Sequence, residues 1–263
     1  MLSLRISVVT PSLNQGRYLD EAIRSVLDQQ YPDFEHFVVD GGSSDQTRDV
    51  LGRYPHLRWI SEPDAGQTAA INKGLRMSAG DIFAYLNADD LYRPGAFRTV
   101  AEVFQADPTT AAVVGDCDAI DEASRLHGRY RARLDSFEDL LRYWQWGTRF
   151  CIPQPAVFIR RDLLDEVGPF DEHYDLAMDY QMWLRLAARH PFTLVPRTLA
   201  AFRVTGQTKT SRRRPAMEWE QFRASSAYWR LARGRERWLI PCQAVVQSAL
   251  RALYPSRARR QGT

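Results

Sequence analysis

Cysteine is scarce in this chain, and Cys117, Cys151 and Cys242 stand too far apart for a metal or redox pair. Free thiols in a reducing compartment are the economical reading. Histidine is equally thin: His36, His56, His127, His173 and His190 form no HExxH or paired motif, which argues against zinc. No run approaches the roughly eighteen apolar residues of a membrane span. Residues 4–9 are too short for a signal-peptide core and lack a cleavage pattern. A cytoplasmic protein is expected. Two phosphate-binding designs are also missing. No GxxxxGKS or GxxxxGKT loop occurs, and Pro11 and Asn14 stand where a GxGxxG turn after the first strand would need glycine. These absences exclude a P-loop enzyme and a dinucleotide dehydrogenase.

What remains is an ordinary globular composition, 44% hydrophobic and 25% charged over 263 residues, enough for one large domain or two small ones. The net charge of +3 hides a division. From residue 209 onward, Lys209 and twelve arginines face only Glu218, Glu220 and Glu236, a balance of +10 that leaves the first 208 residues at −7. A basic tail on an acidic body points to an anionic partner, nucleic acid or a membrane surface. No nucleic-acid recognition motif accompanies the arginines, so nucleic acid is not expected.

The first half alternates strand and helix. Apolar β-branched runs are expected as strands at 4–10, 34–39, 57–60, 82–86 and 111–114, with helices at 18–29, 46–54, 67–77 and 94–105 between them. Repeated strand, polar loop and helix predict a mostly parallel α/β sheet with right-handed crossovers. Ligands of such sheets gather at the carboxyl ends of the strands. Each of those ends carries oxygen side chains or glycine: 10–14, 40–45, 62–66, 87–90, and Asp116 with Asp118. Crowded carboxylates are costly without a cation to offset them, and a magnesium- or manganese-like cation with open positions then holds phosphates. Gly41 and Gly42 let backbone approach a ligand, or make a tight turn.

Beyond 118 the pattern loosens. A helix is expected at 137–146, a strand at 156–159, helices at 161–167 and 180–189, and one or two strands over 193–203. The tail is read as a helix at 217–233, then a second after Pro241 with Val246, Leu250 and Leu253 on one face, and a disordered end at 257–263. Packing of this tail on the acidic body is favoured, with peripheral contact to an anionic membrane as a second role.

Val-Val-Thr-Pro-Ser-Leu-Asn-Gln, Val-Val-Asp-Gly-Gly-Ser-Ser-Asp-Gln-Thr, Ser-Glu-Pro-Asp-Ala-Gly-Gln, Ala-Ile-Asn-Lys-Gly and Tyr-Leu-Asn-Ala-Asp-Asp, in this order, closely resemble family 2 glycosyltransferases. A weaker resemblance runs on through Phe170-Asp171 and Asp179-Tyr180-Gln181-Met182-Trp183 to about residue 210. It implies the GT-A fold and an inverting enzyme that uses nucleotide-diphosphate sugars. The implied division is a catalytic domain over 1–210, its nucleotide-sugar half about 1–118 and acceptor half about 119–210, followed by a basic helical extension over 211–263.

The resemblance also assigns roles. Thr10, Pro11 and Asn14 would line the nucleotide pocket, Asp40 would accept from the base, and Asp64 and Lys73 would lie near ribose or diphosphate. Asn87 and Ala88 complete the nucleotide set. Asp45 is a ligand contact or a helix cap. Asp89 would ligate Mg²⁺ or Mn²⁺; Asn87, where a strict motif has Asp, offers an uncharged oxygen and implies weaker metal binding. Asp90 would orient the loop or touch the sugar. Asp179 matches the general base, with a helix N-cap as the alternative. Trp183 is expected to be half core and half sugar platform. Trp144, Trp146, Phe150 and Gln154 are expected to form an acceptor wall. Arg203 and Lys209 would reach the diphosphate, and Thr205 replaces a histidine that often completes the metal shell. The implied partners are a nucleotide-diphospho-sugar, by family habit a UDP-sugar, and a glycan or lipid-linked acceptor. The alternative is a nucleotide-sugar or glycan-binding module that has lost catalysis.

Overall fold

The computed structural model describes residues 3–205 and 213–253. The chain runs β1 (Ile6–Ser12), α1 (Gly16–Leu27), β2 (Phe34–Asp40), α2 (Thr47–Leu51), β3 (Arg58–Ser61), α3 (Gln67–Met77), β4 (Ile82–Tyr85), β5 (Leu91–Tyr92), α4 (Ala96–Ala106) and β6 (Ala112–Ile120). There follow β7 (Leu126–Tyr130), β8 (Arg133–Leu134), α5 (Phe137–Leu140), β9 (Phe150–Cys151), β10 (Val157–Arg160), α6 (Arg161–Val167), α7 (Met178–Ala187) and β11 (Phe192–Arg203). Helices Arg214–Ser226 and Glu236–Leu253 close the described chain.

The main sheet has the order β3-β2-β1-β4-β10-β6-β11-β5, with β7 on β6. Strands β3, β2, β1 and β4 are parallel, as are β6 and β11. The expected mostly parallel sheet is therefore present. The strand expected at 156–159 is β10, whose place and direction were not foreseen: it is inserted antiparallel between β4 and β6. Helix α3 lies directly on β1: a Cβ at Gly74 would stand 2.4 Å from Val9 Cγ1, so only glycine lets the two backbones approach. That contact brings the start of α3 to the end of the sheet.

Three expectations need correction. Pro11 does not stop β1, which stays paired through Pro11↔Val39 and Ser12↔Asp40. Strand β6 does not end at Gly115 either. It continues to Ile120 beside β11, so Asp116 and Asp118 lie within a paired strand. Asp118 is held between Arg93 and Arg129 at 2.7 and 2.8 Å, and Asp116 accepts from the Ala132 N–H; neither joins the acidic rim. The helix expected at 137–146 is cut to α5 and a 3₁₀ turn, Tyr143–Gln145.

The tail packs on the body. Ala224, Ile240 and Ala244 share a core with Leu140, Tyr143 and Tyr180. Ser225 donates to the Leu141 carbonyl at 2.7 Å, Arg142 pairs with Glu236, and the Tyr143 hydroxyl meets that of Ser248. The helix expected at 217–233 is Arg214–Ser226 followed by a 3₁₀ turn, Trp229–Leu231. Expectations for residues 206–209, including Lys209, for the side chains of Leu250 and Leu253, and for 257–263 lie outside the described residues.

Candidate active site

Successive strand ends are sewn together by side-chain hydrogen bonds. Asn14, in the left-handed region at φ 54°, accepts the Ser44 N–H at 2.9 Å, and its own N–H donates to Ser43 Oγ at 2.7 Å. Asp45 accepts from Gly16 N–H and Thr47 N–H at 2.9 and 3.0 Å, binding the first loop to the second. Asp40, buried at the end of β2, accepts from Ser43 N–H, Ser43 Oγ and, at 2.6 Å, Ser61 Oγ of β3. Gly41 lies so near Asp64 that a Cβ would stand 3.2 Å from its carboxylate oxygens. Asp64 accepts the Gly66 N–H, and Gln67, opening α3, donates to the Asn87 amide oxygen at 2.7 Å. Asp40, Asp64 and Asp89 thus stand along one sheet edge. Lys73 is at the same rim, 2.5 Å from Glu62.

Behind Asp89 the loop is braced by a buried cation. Arg203, wholly inaccessible, donates Nε–H to the Asp89 carbonyl at 2.8 Å, Nη1–H to the Asp121 carbonyl and Ser124 Oγ, and Nη2–H to Glu21 at 3.0 Å. Its own N–H donates to Asp90, whose other oxygen accepts from Asn87 Nδ2 at 3.1 Å. Burial, and then the neighbouring Asp89 charge, drive the Asp90 carboxyl well above the usual range. Burial likewise raises Asp89, with Arg203 opposing. No other described residue donates to the Asp89 carboxylate.

The second half is clamped to this edge by α3. Asn72 donates to the Phe170 carbonyl at 2.8 Å and accepts the Phe170 N–H at 2.9 Å. Thr68 donates to the Tyr174 carbonyl and to Met178 Sδ. Helix α7 therefore begins beside the rim, with Asp179 as its second residue. Asp179 is half-buried, and loss of solvent pushes its carboxyl up to about 6, with Glu220 adding to the effect. Its charge and that of Asp90 add to burial in raising the Tyr85 phenol, so both carboxylates stand near the end of β4. Asp179 is not the N-cap residue, which is Ala177, but its carboxylate accepts the Tyr180 N–H of the first turn at 2.6 Å. Glu220 reaches from the tail to accept the Leu176 and Ala177 N–H groups just ahead of the helix, at 2.8 and 2.9 Å.

The sequence profile of glycosyl transferase family 2 matches residues 7–168, which carry this whole rim. The chain belongs to family 2. An uncharacterized glycosyltransferase, alr2836, of Nostoc sp. is 32% identical over 64% of this chain and 54% of its own length. An O-antigen biosynthesis protein, RfbC, of Myxococcus xanthus is 31% identical over 69% of this chain but only 14% of its own. The match thus spans about half of the first relative and a small part of the second. Two solved structures share the GT-A fold. S. aureus TarS with UDP-GlcNAc superposes with a TM-score of 0.69 at 17% identity, over 97% of this chain and 74% of that one. The mannosyltransferase PcManGT of Pyrobaculum calidifontis, with GDP-Man and Mn²⁺, gives 0.62 at 18% identity, over 98% and 83%.

Within this family 2 domain several expected contacts are placed elsewhere. Thr10 is buried with its hydroxyl on His36 at 2.9 Å, and Pro11 is buried beside it, so neither side chain is open to a nucleotide. Ala88 is likewise buried. Trp183 is core, edge-on to Phe192, rather than a sugar platform. Phe150 is core as well, stacked on Tyr180, and leaves Trp146, packed on Tyr130, as the exposed aromatic of the expected wall; Trp144 is half-buried. Gln154 turns inward, donating to the Tyr85 carbonyl and accepting from Asn87. Arg203 is a brace rather than a diphosphate contact, because a guanidinium with its donors taken by the fold has none to offer. Ser43, Ser61, Gln67, Tyr85 and Glu220 were not assigned roles from sequence. The first four lie in or beside the quoted motifs, whereas nothing local marks Glu220.

The donor set fits one divalent cation held lightly. Among the described residues no three His, Cys, Asp or Glu side chains converge on a ready-made metal cluster. A partly desolvated carboxylate to which no other described residue donates, beside an amide oxygen already engaged by Gln67, suits an ion that takes most of its oxygens from phosphate and water.

Proposed function

We propose that this chain transfers a sugar, with inversion, from a nucleotide-diphosphate sugar to a hydroxyl acceptor, and that the donor is UDP-linked. The observation that carries the reading is the arrangement of Asp40, Asp64 and Asp89 on one hydrogen-bonded edge, with Asp179 held beside it by α3. Asp89 would hold Mg²⁺ or Mn²⁺, and the ion supplies charge neutralisation on the departing diphosphate. Asp40 and Asp64, with Asn14 and Lys73, form the nucleoside and diphosphate side. Asp179 takes the proton of the acceptor hydroxyl as its oxygen bonds to the anomeric carbon. The bond from that carbon to the diphosphate oxygen breaks on the opposite face, and the diphosphate leaves with the electron pair. A carboxyl pushed to about 6 is still ionised at neutral pH and is a stronger base than an exposed aspartate. An acceptor in a lipid-linked or cell-surface polysaccharide precursor is supported by the kinship with an O-antigen biosynthesis protein.

A second reading keeps the fold without the chemistry. It is favoured by Asn87, an uncharged oxygen beside Asp89, and by Met178, buried against Thr68, which adds no charge beside Asp179. The test is release of nucleoside diphosphate from UDP-sugars with Mn²⁺ by the wild type and by Asp89→Ala, alongside thermal shift with the same ligands. A donor-dependent shift with release abolished in Asp89→Ala supports transfer. A shift without release supports the binding module, and no shift with any nucleotide sugar overturns both.

A further inference from the structure

Helix Glu236–Leu253 shows the solvent a side that helices normally hide. Ile240 and Ala244 are its buried residues, and Ser248 continues the same row toward Tyr143. Facing away are Trp238, Leu239, Cys242, Val245 and Val246, all exposed, with Trp238 at 69%, Val245 at 58% and Val246 at 55%. At 100° per residue these five span an arc of about 120°, a continuous apolar stripe rather than scattered side chains. Arg230, Arg233, Arg235 and Arg237 are exposed at the start of this helix and just before it. The sole acidic residue between 227 and 249 is Glu236, and it pairs with Arg142 of the body.

We infer that this stripe is a docking surface for an anionic lipid membrane. Cationic side chains beside a Trp-bearing apolar stripe match the headgroup and acyl layers, where such a helix lies in the plane of the interface. It would lie on the bilayer, since no described helix is long and apolar enough to cross one. A second copy of the chain is a poorer occupant. A two-fold contact through the stripe would bring only the same patch, whose one acidic residue already pairs with Arg142, so the arginines would find no anionic partner there. The inference stands on the tail alone and does not depend on the sugar-transfer reading.

The experiment is co-sedimentation of the full chain with vesicles of equal parts phosphatidylglycerol and phosphatidylcholine, and with phosphatidylcholine alone. Two variants accompany it: the double Trp238→Ser, Val245→Ser, and the triple Arg230→Gln, Arg233→Gln, Arg235→Gln. All five side chains are exposed, and matched circular dichroism and melting curves establish that the variants fold. The wild type is expected to partition onto anionic vesicles at least about tenfold better than onto neutral ones, less so in high salt, with each variant weakened by about tenfold or more. Tryptophan emission should shift to the blue with anionic vesicles only. Equal partition onto both vesicles, or none, overturns the inference whatever the variants do. So does a dimer in light scattering that the Trp238→Ser, Val245→Ser change dissolves, since a second copy would then cover the stripe.

Discussion

Asp179 joins two properties that pull against each other. Its carboxyl is raised to about 6 because the folded chain strips it of water, and the same loss of water makes it a competent base. Above pH 6 the native state therefore holds a charge that the unfolded chain solvates better. The sign follows directly: with a folded pKa above the unfolded one, stability is fully present below about pH 4 and declines as pH rises through 6. Asp179→Asn should accordingly melt a few degrees higher than the wild type at pH 7.5, about 1 kcal/mol after allowing for partial exposure. The gap should close at pH 4. Sugar transfer by the same variant should fall by about 10²–10⁴, and the wild-type kcat/KM profile should show an ascending limb near pH 6 that the variant lacks. A variant that is inactive and also less stable at every pH would mean that Asp179 serves the fold, and not the reaction.

At the scale of elements, the approach to α7 is held by a residue from another part of the chain. Within the first turn Asp179 accepts the Tyr180 N–H, and Glu220, from helix Arg214–Ser226, accepts the Leu176 and Ala177 N–H groups just ahead of it. Glu220→Gln keeps an acceptor oxygen but removes a charge that raises Asp179, so the ascending limb of the pH profile should move to lower pH with little loss of stability. Glu220→Ala leaves those two N–H groups without their acceptor and should cost about 1 kcal/mol. Arg203 governs the opposite side of the site. Arg203→Met would remove the donors that hold the Asp89 carbonyl, Asp121 carbonyl and Glu21, and should destabilise by about 3–5 kcal/mol in a denaturant titration. These two residues also mark what could be read from the sequence. Asn87, Asp89 and Asp90 fall within four residues at a strand end, so their standing together on one sheet edge was legible from local pattern. The strands and α3 were legible for the same reason, from apolar period. Arg203 was misassigned because a charged residue near a metal motif suggests phosphate, and only the crossing of β11 beside β6 reveals that it is buried. Glu220 was silent because its partners lie 43 and 44 residues away. The antiparallel insertion of β10 was hidden too, since a short apolar run carries no sign of its direction.

For the whole molecule, the consequential contact is between the tail and the second half of the body. The family profile ends at 168, and the natural expectation from sequence is a self-sufficient domain over 1–210 with an appendage. The packing argues for interdependence. Removing everything after 212 would uncover Leu140, Leu141 and Tyr143 where Ala224, Ile240 and Ala244 now share their core. It would also take Glu236 from buried Arg142, leaving Asp139 at 4.0 Å as its ion-pair partner, and breaking a buried pair costs up to about 3–5 kcal/mol. Loss of the Glu220 acceptor adds to this just ahead of the helix that carries Asp179. The sum is comparable with the whole stability of a domain, commonly about 5–15 kcal/mol. A 1–212 fragment should therefore lose its cooperative melt, at least across 137–187, and bind a hydrophobic dye. Hydrogen exchange locates the effect: amides of α7 should lose protection while those of β1, β2 and β4 keep more of it, because α1 and α3 still cover that end of the sheet. A fragment that melts as sharply and as high as the full chain would show that the tail is carried by the body without supporting it. Otherwise, the basic extension helps to hold the helix that carries Asp179 against the rest of the body.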